Sequence, residues 1–238
     1  MEYYYTEKKN IDADKNILTI DNFEYQHLVK SLRKRTGDLI TITDGELGVY
    51  ECRIEIIDKE KITCAILKKD FNIFESEKDI HLYIAVLKSS ERFEFAIEKA
   101  VELGVKYITP VFSERVINKS ELSPNKLKRL NQIILSAMGQ SQRCFRPILN
   151  KTETFSGMLS KTSNSGCKLA MYEFADENEK ISGLDEQKNI DLLTGPEGGF
   201  SDEEISQLKK QNWQVLSLGS RKLRAETAVI AALSKILI

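Results

Sequence analysis

The pattern of apolar residues changes once, near residue 72, and that change predicts two domains of different class. Before it, short β-branched runs are separated by turns. Ile17-Leu18-Thr19-Ile20 and Leu39-Ile40-Thr41-Ile42-Thr43 read as strands. Val49 to Ile57 alternates apolar and polar residues, and Lys61 to Leu67 is its hairpin partner across Asp58-Lys59-Glu60. Asp44-Gly45 begins a turn. One helix interrupts, Phe23 to Arg35, with Phe23, Leu28 and Leu32 inward and Gly37 just past its end. Short strands with tight turns predict a small barrel or sandwich over residues 1–72. The charged stretch from residue 70 to 79 reads as the linker.

Beyond it, strands alternate with helices. His81 to Leu87 is an apolar strand. Glu91 to Leu103 has helical spacing at Phe93, Ala96, Ile97, Ala100 and Val101, and Gly104 caps it. Tyr107 to Phe112 is the next strand, so this is a βαβ unit with parallel strands. Helices over Pro124–Met138, Ser201–Lys210 and Ala225–Ile238, with strands at Lys168–Tyr172, Ile190–Leu193 and Val215–Leu218, complete an α/β domain over residues 73–238.

Composition narrows the function classes. No apolar run approaches the ~20 residues that span a bilayer. The start, Met1-Glu2-Tyr3-Tyr4-Tyr5, lacks the basic flank and apolar core of a secretory signal, so a cytoplasmic protein is expected. Cys52, Cys64, Cys144 and Cys167 include no C-x-x-C pair, and His27 and His81 are far apart, so no metal site is expected. The net charge of −1 means that a nucleic acid would be held by local patches, not by the whole-molecule field.

Two segments carry the chemistry. Asp191 to Thr194 runs as a strand into Gly195-Pro196-Glu197-Gly198-Gly199-Phe200, and a helix follows with Ser201 and Glu204 at capping-box spacing. A glycine loop at the carboxyl end of a strand is where open α/β sheets bind ligands. Pro196 removes a donor, and Asp202, Glu203 and Glu204 repel a phosphate, so a neutral or cationic ligand is favoured. A plain tight turn would have the same spacing. Leu216 to Ala228 repeats the strand, glycine turn, helix order around Gly219, with Arg221, Lys222 and Arg224 in the connection. Small residues Ala228, Ala231 and Ala232 on the last helix permit close packing against a helix or a second subunit.

These segments strongly resemble the RsmE family, the 16S ribosomal RNA uridine-N3 methyltransferases of the SPOUT superfamily. The similarity rests on Thr194 to Ser201 and Leu218 to Ala228, with Glu91-Arg92, Lys99 to Val105, Gln140 to Arg143, His27 to Arg33 and Gly37-Asp38 in support. It covers nearly the whole chain. Gly139, Ser220 and Lys222 depart from it, standing where the family commonly has Glu, Pro and an aliphatic residue.

The resemblance implies a PUA-like β-barrel at 1–72 and a trefoil-knotted SPOUT domain at 73–238, assembled as a homodimer. It implies S-adenosylmethionine as cofactor, held by Thr194, Gly195, Pro196, Glu197, Gly198 and Gly199 and by Leu218, Gly219, Leu223 and Arg224. Glu226, Thr227 and Ala228 would complete the wall. The acceptor would be N3 of a uridine in 16S ribosomal RNA. Arg224 and Arg143 are the candidates to stabilise charge on the base, and Glu197 or Glu226 to take the proton. RNA would be gripped by Lys30, Arg33, Lys34, Arg35, Arg92 and Arg115, with Lys99, Lys128 and Arg129 as further candidates. A methyltransferase acting on another RNA and a non-catalytic RNA-binding module remain the alternatives. A nucleotide-binding enzyme is disfavoured because no phosphate motif is present.

Overall fold

The computed structural model describes residues 2–162, 166–176, 181–184 and 186–238. The chain forms two compact units, Met1–Glu75 with Leu135–Arg146, and Ser76–Ile134 with Pro147–Ile238.

The first unit is built on six strands: β1 (Tyr3–Tyr5), β2 (Ile11–Asp12), β3 (Ile17–Ile20), β4 (Leu39–Thr43), β5 (Gly48–Ile57) and β6 (Ile62–Phe71). Their order in the sheet is β1-β4-β5-β6-β3-β2. Register shifts between Glu51 and Cys52 and between Ile54 and Ile56 increase the twist, as bulges do. Thr6, just past β1, donates its hydroxyl to the Thr19 carbonyl of β3 at 2.6 Å, so the sheet curls until its two sides meet. The enclosed core holds Leu18, Ile20, Leu28, Ile40, Ile42, Ile54 and Ile62 with Cys52 and Cys64. Burial pushes both thiols up to about 12, so they stay protonated and pack as small apolar groups.

The helix expected over Phe23–Arg35 is shorter. It comprises α1 (Asn22–Gln26) and one π-helical turn, His27–Ser31, closed by the Leu32 N–H donating to the His27 carbonyl. Arg33 at φ +53° ends it, four residues before Gly37. The extra residue in the π turn shifts the side-chain register. Leu28 alone of the three expected inward positions is fully buried, whereas Phe23 and Leu32 are 47 % and 41 % exposed.

The segment expected as a solvated linker is partly core. β6 continues to Phe71, and the Glu75 carboxylate is buried. It accepts hydrogen bonds from the Arg143 guanidinium and from the Cys144 and Phe145 amides, each at 2.9 Å. These contacts attach residues 135–146 to the first unit. Gly139 belongs to the same packing. A Cβ there would stand 2.3 Å from the Tyr3 carbonyl oxygen, so this backbone approach leaves no room for any side chain.

The second unit contains β7 (Asp79–Ala85), α2 (Ser90–Glu102), β8 (Tyr107–Phe112), the first part of α3 (Pro124–Gln140), β9 (Ile148–Leu149), β10 (Glu153–Thr154), α4 (Phe155–Lys161), β11 (Cys167–Met171), β12 (Asn189–Thr194), α5 (Asp202–Lys210), β13 (Gln214–Leu216) and α6 (Ala225–Leu237). Its sheet runs β10-β8-β7-β12-β11-β13 with every pair parallel. Helices α2 and α6 pack together. A separate cluster gathers Tyr83, Phe155, Met158, Leu193, Phe200 and Trp213. Ser201 caps α5, and Glu204 returns the bond to the Ser201 amide, completing the expected capping box.

His81 lies within this unit, with Nε2 2.7 Å from the Thr109 hydroxyl and Nδ1 3.9 Å from Asp191. Burial, with a smaller contribution from Lys161, pushes its pKa down to about 4. The unfolded chain protonates His81 near 6.5, so between pH 6.5 and 4 the unfolded state binds more protons. Stability from this group is therefore complete above pH 6.5 and declines by about 3 kcal/mol as pH falls to 4. Glu24 in the first unit acts oppositely. Burial raises it to about 7, so its contribution falls as pH rises from 4.5 to 7. The difference between wild type and His81→Gln in denaturant unfolding isolates the histidine and is expected to shrink as pH is lowered through this window. A pH-independent difference would contradict a buried neutral imidazole.

Candidate cofactor site

Strands β11, β12 and β13 are parallel and end at one edge of the sheet. Three connections leave that edge: Tyr172-Glu173 after β11, the Gly195 loop after β12 and the Gly219 loop after β13. Together they enclose a cavity of about 330 Å³. That is the lower range of small-molecule sites, roughly 300–1,000 Å³. Its walls are Met171, Phe200, Leu218, Leu223, Ala225 and Ala228, and its charged groups are Arg92, Glu173, Glu197, Arg221, Lys222 and Arg224.

The first loop is held rigidly. Gly199, at φ +68°, closes a turn in which its amide donates to the Pro196 carbonyl at 2.9 Å. The Glu197 carboxylate accepts from the Lys88 amide at 3.0 Å, and Arg115 donates to the Gly198 carbonyl at 2.9 Å. A Cβ on Gly195 would press the buried Phe200 ring at 3.1 Å. In the second loop Gly219 has φ +116°, a conformation that only glycine adopts without strain, and open space surrounds the position of a Cβ. Gly219→Ala therefore tests backbone shape alone. We expect about a tenfold loss of ligand affinity, from ~1–2 kcal/mol of backbone strain. Calorimetry with unchanged affinity would show that the left-handed turn is dispensable.

Thirteen residues were expected at the cofactor and nine of them line the cavity, namely Gly195, Pro196, Glu197, Gly199, Leu218, Gly219, Leu223, Arg224 and Ala228. Thr194 is buried at the end of β12, with no hydroxyl partner among the described residues. Gly198 faces Arg115, and Thr227 is exposed. Glu226 is buried with one oxygen 3.7 Å from Arg92 Nε. The Arg143 guanidinium is engaged by the Glu75 carboxylate within the first unit. Lys30, Arg33 and Arg35 are exposed, and Lys34 is half-buried. Lys99 and Arg129 are paired with Glu102 at 2.7 Å and Glu94 at 2.8 Å. Met171, Tyr172 and Glu173 were missed. Applying the carboxyl-end rule to the strand before the glycine loop would have found them.

These features fit S-adenosylmethionine. Apolar walls suit an adenine, and glycine turns admit a ligand close to the backbone. Among the described residues no cluster of His, Cys, Asp and Glu could hold a metal ion.

Residues 74–237 match the RNA methyltransferase domain family, and residues 20–67 match the RNA methyltransferase PUA domain family. A ribosomal RNA small subunit methyltransferase E of Mesomycoplasma hyopneumoniae (strain 232) is 35 % identical over 230 residues, spanning 94 % of this chain and 95 % of the relative. The crystal structure of a ribosomal RNA small subunit methyltransferase E from Neisseria gonorrhoeae bound to S-adenosyl methionine superposes with TM-score 0.85 at 30 % identity, covering 98 % of this chain and 95 % of that one. A putative methyltransferase from Legionella pneumophila, in complex with the same cofactor, gives 0.83 at 29 % identity over 98 % and 96 % of the two chains. The chain thus belongs to the ribosomal RNA small subunit methyltransferase E family, with a PUA domain preceding an α/β RNA methyltransferase domain.

Proposed function

We propose that the protein transfers a methyl group from S-adenosylmethionine to N3 of a uridine in the 16S ribosomal RNA of the small subunit. The observation that carries this reading is the convergence of the Gly195–Gly199 and Leu218–Arg224 turns on one cavity. We place the enzyme in the cytoplasm, as a homodimer with a SPOUT trefoil knot in its second domain. The small residues Ala228 and Ala231, half-buried on α6, support close packing by a second subunit.

When bound, the cofactor supplies an electrophilic methyl on a sulfonium. The protein's part is to bind, orient and stabilise charge. Leu218, Leu223 and Phe200 provide apolar walls, and the two turns present backbone groups. Uracil N3 must lose its proton, which spreads negative charge onto the base carbonyls. The Arg224 guanidinium at the cavity meets that charge. Arg92 is steadied by Glu226 behind it. Glu197 is the candidate base. Its Oε1 is held by the Lys88 amide, so Oε2 would take the proton. The uridine must be splayed out, because its N3 edge is used in pairing. Lys30, Arg33, Lys34 and Arg35 in the first unit, with Arg92 and Arg115 in the second, would grip phosphates, and binding should weaken steeply with salt.

Mass mapping of ribosomal RNA from a deletion strain tests this. Loss of an N3-methyluridine from small-subunit RNA, restored by the gene in trans, is the expected result. An unchanged small-subunit profile would overturn it, and a modification missing from another RNA would identify the substrate as that RNA.

A further inference from the structure

We propose that Glu173 and Lys222 form a specificity pair that reads the zwitterionic aminoacyl end of the methyl donor. The inference rests on S-adenosylmethionine being the cavity's ligand. Glu173 follows β11, and Lys222 lies in the connection before α6, so the two come from different walls. Lys222 Nζ is 3.0 Å from Glu173 Oε2. The other carboxylate oxygen, Oε1, lies 3.4 Å from where a Gly199 Cβ would stand, so Glu173 touches the first glycine loop as well. Among the described residues this is the one ion pair whose two charged groups both line the cavity. The other cavity carboxylate, Glu197, is held by the Lys88 amide, and Arg92 is drawn to buried Glu226.

Stability does not account for the pair. The lysine side chain is 74 % exposed and the glutamate 28 %, and an ion pair so open contributes little to folding. The donor's methionyl end carries an α-ammonium and an α-carboxylate. A lysine and a glutamate in contact present the complementary charges at the same spacing. On binding, Lys222 takes the ligand carboxylate and Glu173 the ligand ammonium. One ion pair becomes two, and no charge is left unmatched.

Calorimetry with two probes tests it. S-adenosylhomocysteine carries the aminoacyl end. 5′-Methylthioadenosine is the same nucleoside thioether without it. Lys222→Leu and Glu173→Gln should each bind S-adenosylhomocysteine about tenfold more weakly than wild type, through loss of one charge-assisted hydrogen bond. Both should bind methylthioadenosine as tightly as wild type. Equal weakening toward the two probes would overturn the proposal and make the pair a shaper of the cavity. Unchanged affinity toward both would also overturn it and reduce the pair to a rim contact. A wild-type protein that binds neither probe sinks the donor reading itself, and the inference with it, a result distinct from the other two.

Discussion

Arg224→Ala is expected to slow methyl transfer by ~10²–10³-fold while donor affinity stays close to wild type. Arg224 is the N-cap residue of α6, yet its side chain makes no capping hydrogen bond. The residue is exposed at the cavity, so truncation removes no core contact and costs the helix little. What it removes is the cavity guanidinium that we propose meets negative charge on the uracil carbonyls. Single-turnover rates on small-subunit RNA, beside calorimetry with the donor, separate the two effects. A slow rate with intact donor binding assigns Arg224 to the acceptor. Loss of donor binding would assign it to the cofactor, and an unchanged rate would remove it from the chemistry.

Glu75→Ala should destabilise the first unit by about 3–5 kcal/mol, because it breaks a buried ion pair by removing the carboxylate that binds the Arg143 guanidinium. The two side chains are 2 % and 4 % exposed. The same carboxylate also receives the Cys144 and Phe145 amides, so its removal strands backbone donors as well. Equilibrium unfolding in denaturant measures the loss. A change of only a few tenths of a kcal/mol, as surface pairs give, would contradict the burial. The experiment also separates two roles for Arg143. If the arginine is structural, Glu75→Ala lowers the unfolding midpoint. If it serves methyl transfer, the rate falls at unchanged stability.

Much of the α/β domain is legible in the chain because its signals are local. The apolar spacing from Phe93 to Val101 defines α2, the Ser201–Glu204 capping box marks the start of α5, and the two glycine turns follow their strands. The glycine turns also carry most of the candidate site, since a turn that must admit a ligand is written in consecutive residues. What sequence reading missed depends on distant contacts. The short strands β1, β9 and β10 have two or three residues each and exist only through pairing with β4 or β8. Helix α4 has seven residues, too few to show a period. The association of residues 135–146 with the first unit hangs on a buried Glu75, and charge in a polar stretch reads as solvent exposure until its partner is known. Helix α1 failed differently. A π turn inserts a residue, and a 3.6-residue period then points Phe23 and Leu32 the wrong way. Glu173 and Lys222, 49 residues apart, meet only because β11 lies between β12 and β13.

A crystal structure of the protein grown with S-adenosylmethionine decides where the donor sits. The adenosine is expected between the Gly195–Gly199 and Leu218–Arg224 turns, with its aminoacyl end toward Glu173 and Lys222. The donor bound elsewhere, or a cavity left empty at saturating donor, would contradict that placement.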